Sequence, residues 1–297
     1  MVKSLKLFMV LLCTACAKHE DKAGTDGKAG ILYYASFKSL NKLNLQNGQV
    51  QSVLDIASLS HPERFDVSKD GTEILFYEES LNSSDVTFRI FDNNGQLLSS
   101  FRVGEYVSGI PRLSPDRSKL AFIWKPANTY PRQFIAIFSR TGQQVTSFEN
   151  VSDYAWLPDG RLLMVAPGGF YLSDQQLARA TKIADISSLP GEPSQLDISA
   201  DGTQVLFVSN YHIWHMKTNG TGMRQLTSSP NREWYPSWMP DGKQFLFTLD
   251  WTGNCKEVRI ADMAEDMIRI DPHSDAIAPR ILLNGDRICA SNRPVIK

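Results

Sequence analysis

The chain has 297 residues, 42% hydrophobic and 21% charged, which is the balance of a folded globular protein and excludes disordered and fibrous classes. A formal net charge of −1 gives no basic field to hold a phosphate backbone, so composition supports no nucleic-acid partner. No run approaches the ~18 uninterrupted apolar residues of a spanning helix, and four cysteines are too few for a disulfide scaffold.

Residues 1–15 read as a leader. Lys3 and Lys6 precede a short apolar run from Leu7 to Leu12, and Cys13-Thr14-Ala15-Cys16 follows. This resembles a bacterial lipoprotein signal, in which small residues precede a cysteine that is lipidated and becomes the mature N-terminus. The resemblance implies a lipid on Cys16; the alternatives are an ordinary cleaved signal and an uncleaved anchor. Residues 16–30 are polar and Gly-rich without apolar periodicity, which predicts a flexible tether.

From residue 31 to 297 a short motif recurs. It reads Ser68-Lys69-Asp70-Gly71, Ser114-Pro115-Asp116-Arg117, Leu157-Pro158-Asp159-Gly160, Ser199-Ala200-Asp201-Gly202 and Met239-Pro240-Asp241-Gly242, with a degenerate sixth copy at Leu282-Leu283-Asn284-Gly285. The acidic or Asn positions are 46, 43, 42, 40 and 43 residues apart, so one supersecondary unit repeats. Apolar residues stand three before the acid (Val67, Leu113, Trp156, Ile198, Trp238, Ile281) and four and six after it (Ile74 and Phe76 in the first copy). The step of two is the strand period, and Asp-Gly between such runs is a hairpin signal, so the aspartates read as turn residues.

Two further strand-like runs follow in each period, such as Val86 to Phe91 with Leu97 to Phe101, and Glu257 to Ile260 with Met267 to Ile270. Four short strands per repeat predict an all-β chain, a six-bladed β-propeller with four-stranded blades. The last motif leaves room for two strands, around 280–283 and 287–291. The strands missing from that blade are available at Leu40 to Leu45 and Val50 to Leu54, with Ile31 to Ala35 as an addition at the seam. A blade shared between the two termini then closes the ring and removes its open edges.

The fifth period carries a family resemblance. Asn219-Gly220-Thr221-Gly222-Met223-Arg224-Gln225-Leu226-Thr227, followed by Pro236-Ser237-Trp238-Met239-Pro240-Asp241-Gly242, is similar to the TolB-type propeller repeat. The likeness covers roughly residues 31–297 and bears on fold, since one fold hosts many activities. It implies a stand-alone propeller that works by contact with another envelope protein, anchored through its lipid, with an outer-membrane position facing the periplasm expected. A propeller enzyme or sensor taking a small molecule or glycan in the central channel is the rival reading. No cofactor or metal is implied.

Candidate binding residues lie in the connections between strands, where a rigid scaffold displays its recognition groups. These are His61, Tyr106, Tyr130, Trp234, Tyr235, Trp251 and His273. His212 and His215 sit three apart on a strand, hence on opposite faces, and do not make a ligand pair. Cys255 and Cys289 fall on adjacent predicted blades, within reach of a disulfide in an oxidising compartment. Four positions before the turn acid, on the innermost strands, stand Asp66, Arg112, Asp197 and Arg280. In a closed ring Asp66 should lie between Arg112 and Arg280, leaving Asp197 as the acid with fewer partners.

Overall fold

Each repeat folds into an antiparallel sheet whose strands pair with their sequence neighbours, and six such sheets form a β-propeller. The computed structural model describes residues 30–36, 38–57, 64–79, 85–104, 106–125, 132–250, 255–283, 286–290 and 293–297. The first blade comprises Phe65–Val67, Glu73–Glu79, Val86–Asp92 and Leu97–Val103, and the second Tyr106–Leu113, Lys119–Lys125, Phe134–Ser139 and Gln144–Glu149. The third runs from Asp153–Trp156 to Ala180–Asp185 and the fourth from Ser194–Ile198 to Arg224–Gln225, each again four-stranded. In the fifth, Glu233–Trp238, Gln244–Asp250 and Lys256–Asp262 form the regular ladder.

The middles of the second strands are apolar because both of their faces are covered. Ile74 and Phe76 pack with Leu40 and Val295 of the closing blade, whereas Leu75 and Tyr77 pack with Leu120 and Phe122 of the second. The turns that follow the innermost strands owe their shape to the motif. In the first, second and fourth blades the hydroxyls of Ser68, Ser114 and Ser199 donate to Asp70, Asp116 and Asp201, each at 2.6 Å. The same acids accept the backbone N–H of Thr72, Ser118 and Thr203. Gly71, Gly160, Gly202 and Gly242 then take φ between 67° and 87°, where a side chain is penalised. Arg117 holds this position in the second blade at φ 60°, its guanidinium 3.0 Å from Asp70.

Both termini share one blade, but the closing strand is not the expected one. Val295–Ile296 is innermost, pairing with Tyr33 and Leu32 of Ile31–Ala35, and Ser39–Asn44 and Val50–Asp55 complete the sheet. Among the described residues of 280–291, none pairs with this blade. Arg280 instead bridges Arg259, and Cys289 bridges Glu257, so two short pieces take the fourth-strand place of the fifth blade. A small hairpin of Leu282–Leu283 and Asp286–Arg287 lies between them, where the sequence suggests a sixth inner turn.

The cause is a buried acid. Glu257 is fully buried and accepts from Arg259 Nη2 at 3.0 Å, Arg280 Nε at 3.0 Å and Arg287 Nη1 at 2.6 Å. An unpaired carboxylate there would be costly, so the segment carrying two of those arginines is held against it. Cys255 and Cys289 are disulfide-bonded with Cα atoms 4.9 Å apart, within one blade and not across two. The Met267 to Ile270 run is displaced in consequence. Ile268–Arg269 pairs in parallel with Thr227–Ser228 beyond the fourth blade, where Leu226 and Ile268 share a core cluster.

Candidate functional site

Innermost strands carry three carboxylates that stitch neighbouring blades together. Asp66 accepts Leu113 N at 3.0 Å, Asp153 accepts Leu196 N at 3.0 Å, and Asp197 accepts Trp238 N at 2.9 Å. Asp66 and Asp197 belong to the first and fourth blades, opposite each other in a ring of six. Arg293, two residues before the closing strand, spans the axis between them. Its Nη1 lies 3.6 Å from Asp66 Oδ1 and its Nη2 3.1 Å from Asp197 Oδ1.

This corrects the expected axial pairing. Arg280 is on the outer part of the fifth blade, bound to Glu257 and Asp275, because the seam is made by 295–296. Asp197 is not short of partners, since Ser237 Oγ also donates to it at 3.3 Å. Burial pushes the Arg293 guanidinium down from its ordinary range, Arg112 adds to this, and Asp197 and Asp66 oppose it.

Arg112 is the axial residue left over. It is 8% exposed, its guanidinium carbon lies 5.6 Å from the Tyr154 ring centroid, and it has no ion pair or side-chain hydrogen bond among the described residues. Arg112 and Arg293 both line two chambers on the axis. The lower, on the side of the Asp-Gly turns, holds about 190 Å³ and is bordered by Asp66, Asp197, Pro115, Pro158 and Pro240. The upper, where the innermost strands begin, holds about 380 Å³ and is bordered by Arg64, Asp153, Tyr154, Gln195 and Tyr235.

Three bulges ring the upper chamber. The inner ladders shift register between Ser108 and Arg112, Ser194 and Asp197, and Trp234 and Ser237. Gly109, Gln195 and Tyr235 take positive φ there, at 76°, 59° and 52°. For Gln and Tyr this is a strained conformation, held by tertiary contacts. One such contact is Tyr235 N donating to Gln195 Oε1 at 2.6 Å.

Beside this mouth an aromatic and cationic cluster spans the fourth and fifth blades. Tyr211 and Trp234 meet edge-on with centroids 5.2 Å apart, and the Arg232 guanidinium lies 4.5 Å over Tyr211. Lys256 Nζ is 5.8 Å from the Trp234 ring and 5.3 Å from Tyr235. Asn210 and Tyr211 also take positive φ, 48° and 67°. Tyr106 stands on the same face at the start of the second blade, half-exposed, with Lys125 over its ring.

The structure thus brings Trp234 and Tyr235 together and places Tyr106 in another sector of that face. His273 lies elsewhere, in the turn that wraps Arg259 through the carbonyls of Pro272 and Ser274. His61, Tyr130, Trp251 and Cys16 lie outside the described residues. His212 and His215 do point apart. His212 faces Glu233, and His215 Nε2 contacts Gln204 Oε1 at 2.9 Å. Among the described residues no group of three His, Cys, Asp or Glu converges to hold a metal. Sequence reasoning missed Arg293, Gln195, Tyr211 and Arg232, none of which occupies a repeated column.

The same architecture is found among solved structures. TolB from Acinetobacter baumannii superposes with a TM-score of 0.62 at 16% identity, over 90% of this chain and 66% of that one. The chain has the TolB-type propeller fold. It spans just under two thirds of that TolB. A protein assigned as TolB from Agrobacterium tumefaciens gives a TM-score of 0.57 at 17% identity, covering 91% of this chain and 96% of its own. The same fold reaches an oligogalacturonate lyase from Vibrio parahaemolyticus, with a TM-score of 0.53, 15% identity, and coverage of 81% and 76%. No family model and no curated protein sequence matches the chain. At these identities the TolB-type likeness concerns architecture, and activity has to be argued from the site.

Proposed function

We propose that this chain is an envelope recognition module, a TolB-type propeller anchored by a lipid on Cys16 that contacts another envelope protein through its upper face. The observation that carries the reading is the cluster of Tyr211, Arg232, Trp234, Tyr235 and Lys256. Tyr and Trp supply large contact area with few rotamers to freeze, and Arg beside them is the composition of protein hot spots. Tyr211 and Tyr235 hold strained backbone that the ladder itself does not need, which fits display and not packing.

The test uses residues 17–297 as bait against cross-linked envelope extract. Wild type is expected to retain an envelope protein that the Trp234→Ala, Lys256→Glu double variant loses by roughly tenfold or more, at unchanged melting temperature. Equal capture by both proteins, or capture by neither, rejects the rim as the contact surface. In the full chain, Cys16→Ser should move the protein from the membrane to the soluble fraction; continued membrane retention rejects the lipid anchor.

A further inference from the structure

We propose that the upper chamber binds a small hydroxylated carboxylate, gripped by the Arg112 guanidinium. An unpartnered charge faces this chamber. Arg112 is more than nine-tenths buried, cannot shed its proton, and faces no acceptor among the described residues. Its nitrogens are not among the buried polar atoms without a partner, so the guanidinium opens onto the chamber it lines, with its donors free for a ligand.

Neighbouring groups set the sign of the ligand. Arg293 is committed to Asp66 and Asp197, and both of those acids border the lower chamber, not the upper. The acid of the upper chamber is Asp153. Its oxygens accept Tyr154 N at 2.8 Å and Leu196 N at 3.0 Å, and it makes no ion pair with Arg112 among the described residues. Burial first, and then the neighbouring Arg112, lowers the affinity of Arg293 for its proton.

Size and chemistry narrow the class. About 380 Å³ lies within the range of small-molecule sites, roughly 300–1,000 Å³. A planar guanidinium fork matches the two oxygens of a carboxylate, and the presence of Asp153 disfavours a phosphate dianion. Ser152, Ser194 and Gln195 border the chamber and suit a hydroxylated body. Gln195 Oε1 accepts Tyr235 N, which leaves its Nε2 to donate. The inference rests on the proposed function only in taking the upper face as the recognition face. Carboxylate binding and partner capture are separate readouts, so either can fail while the other stands.

Calorimetric titration of the purified full chain at low ionic strength, with glucuronate, glucose and inorganic phosphate, tests the proposal. Glucuronate should bind saturably at one site, and glucose and phosphate roughly tenfold more weakly or not at all. Arg112→Gln should weaken glucuronate by roughly tenfold or more, with Arg112→Lys between it and wild type. Should Arg112→Gln fail to fold, Gln195→Ala serves as the second variant and is expected to weaken glucuronate severalfold. No saturable glucuronate binding, tighter binding of phosphate, or affinity unchanged in the folded variants overturns it.

Discussion

On the lower face an Asp turn recurs in five blades, with a Ser hydroxyl on the acid in the first, second and fourth and a positive-φ glycine in all but the second. Its hydrogen bonds to Ser and to backbone close within the turn. On the upper face positive φ falls on Gln195, Asn210, Tyr211 and Tyr235, in blades that share no motif there, and the contacts run between blades. The first arrangement is what folding needs at every repeat. The second stores strain at one sector of one mouth, and folding alone gives no reason for it. The contrast gives the lower face to architecture and supports the proposal that the upper face serves recognition.

The severest test of that division is the residue between the faces. Arg293→Met should destabilise the propeller by about 3–5 kcal/mol in urea denaturation, because the buried Asp66 and the partly buried Asp197 lose their shared cation. A loss below ~1 kcal/mol would mean that the axis is held by something other than this pair. Next in size, Ser68→Ala, Ser114→Ala and Ser199→Ala should each cost about 1 kcal/mol, and the three costs should add. Widely unequal costs would break the claim that the lower face is one device repeated.

A smaller effect should reverse the usual rule for strands. At Tyr235, substitution by Gly should leave the protein more stable than substitution by Ala, by about 0.5–1 kcal/mol, since Gly relieves a φ of 52°. The reverse order would remove backbone strain from the upper face.

The faces should also differ in their response to pH. Partial burial raises the Asp116 carboxyl, but hydrogen bonds from Ser114 and Ser118 outweigh it and hold the group at about 2, against 3.8 unfolded. Its contribution is present above 3.8 and is lost as pH falls towards 2, so Asp116→Asn should flatten the acid limb of the stability profile. On the upper face Glu233 raises His212 above 6.5, with burial opposing. That contribution is complete below 6.5 and is lost as pH rises through the folded value, so His212→Gln should remove a slope of opposite sign.

The ring, its blade number and its lower turns were legible because each rests on residues that recur at fixed offsets. Val67, Leu113 and Trp156 or Asp70, Asp116 and Asp201 announce themselves by comparison with one another. The closing strand was not, since Val295 and Ile296 are two apolar residues with no motif around them. The sixth-turn likeness of Leu282-Leu283-Asn284-Gly285 drew the seam to the wrong segment. Nothing local says that Glu257 will be buried and surrounded by Arg259, Arg280 and Arg287. That is a tertiary fact. The axial site suffered from the same displacement: Asp66, Arg112 and Asp197 were in view, but Arg293, the partner of the two acids, belongs to no repeated column. Trp234 and Tyr235 were found as loop aromatics, while Tyr211 joins their cluster from the fourth blade and Arg232 from just upstream in their own segment.

The two-residue clasp of Val295 and Ile296 on Leu32 and Tyr33 has a consequence for association between molecules. Opening the ring there would break this short ladder, the Ile31–Lys297 backbone pair and the Arg293 ion pairs beside it, and would leave the ladders of the other blades intact. The opened form offers two complementary edges, the bare flank of Ile31–Ala35 and the freed strand, and each fits the other in any second copy. Two opened chains can therefore latch reciprocally into a closed pair, whereas a chain that latches onto the next in one direction builds a filament. Purification at high concentration or mild heating is where such exchanged dimers should be looked for.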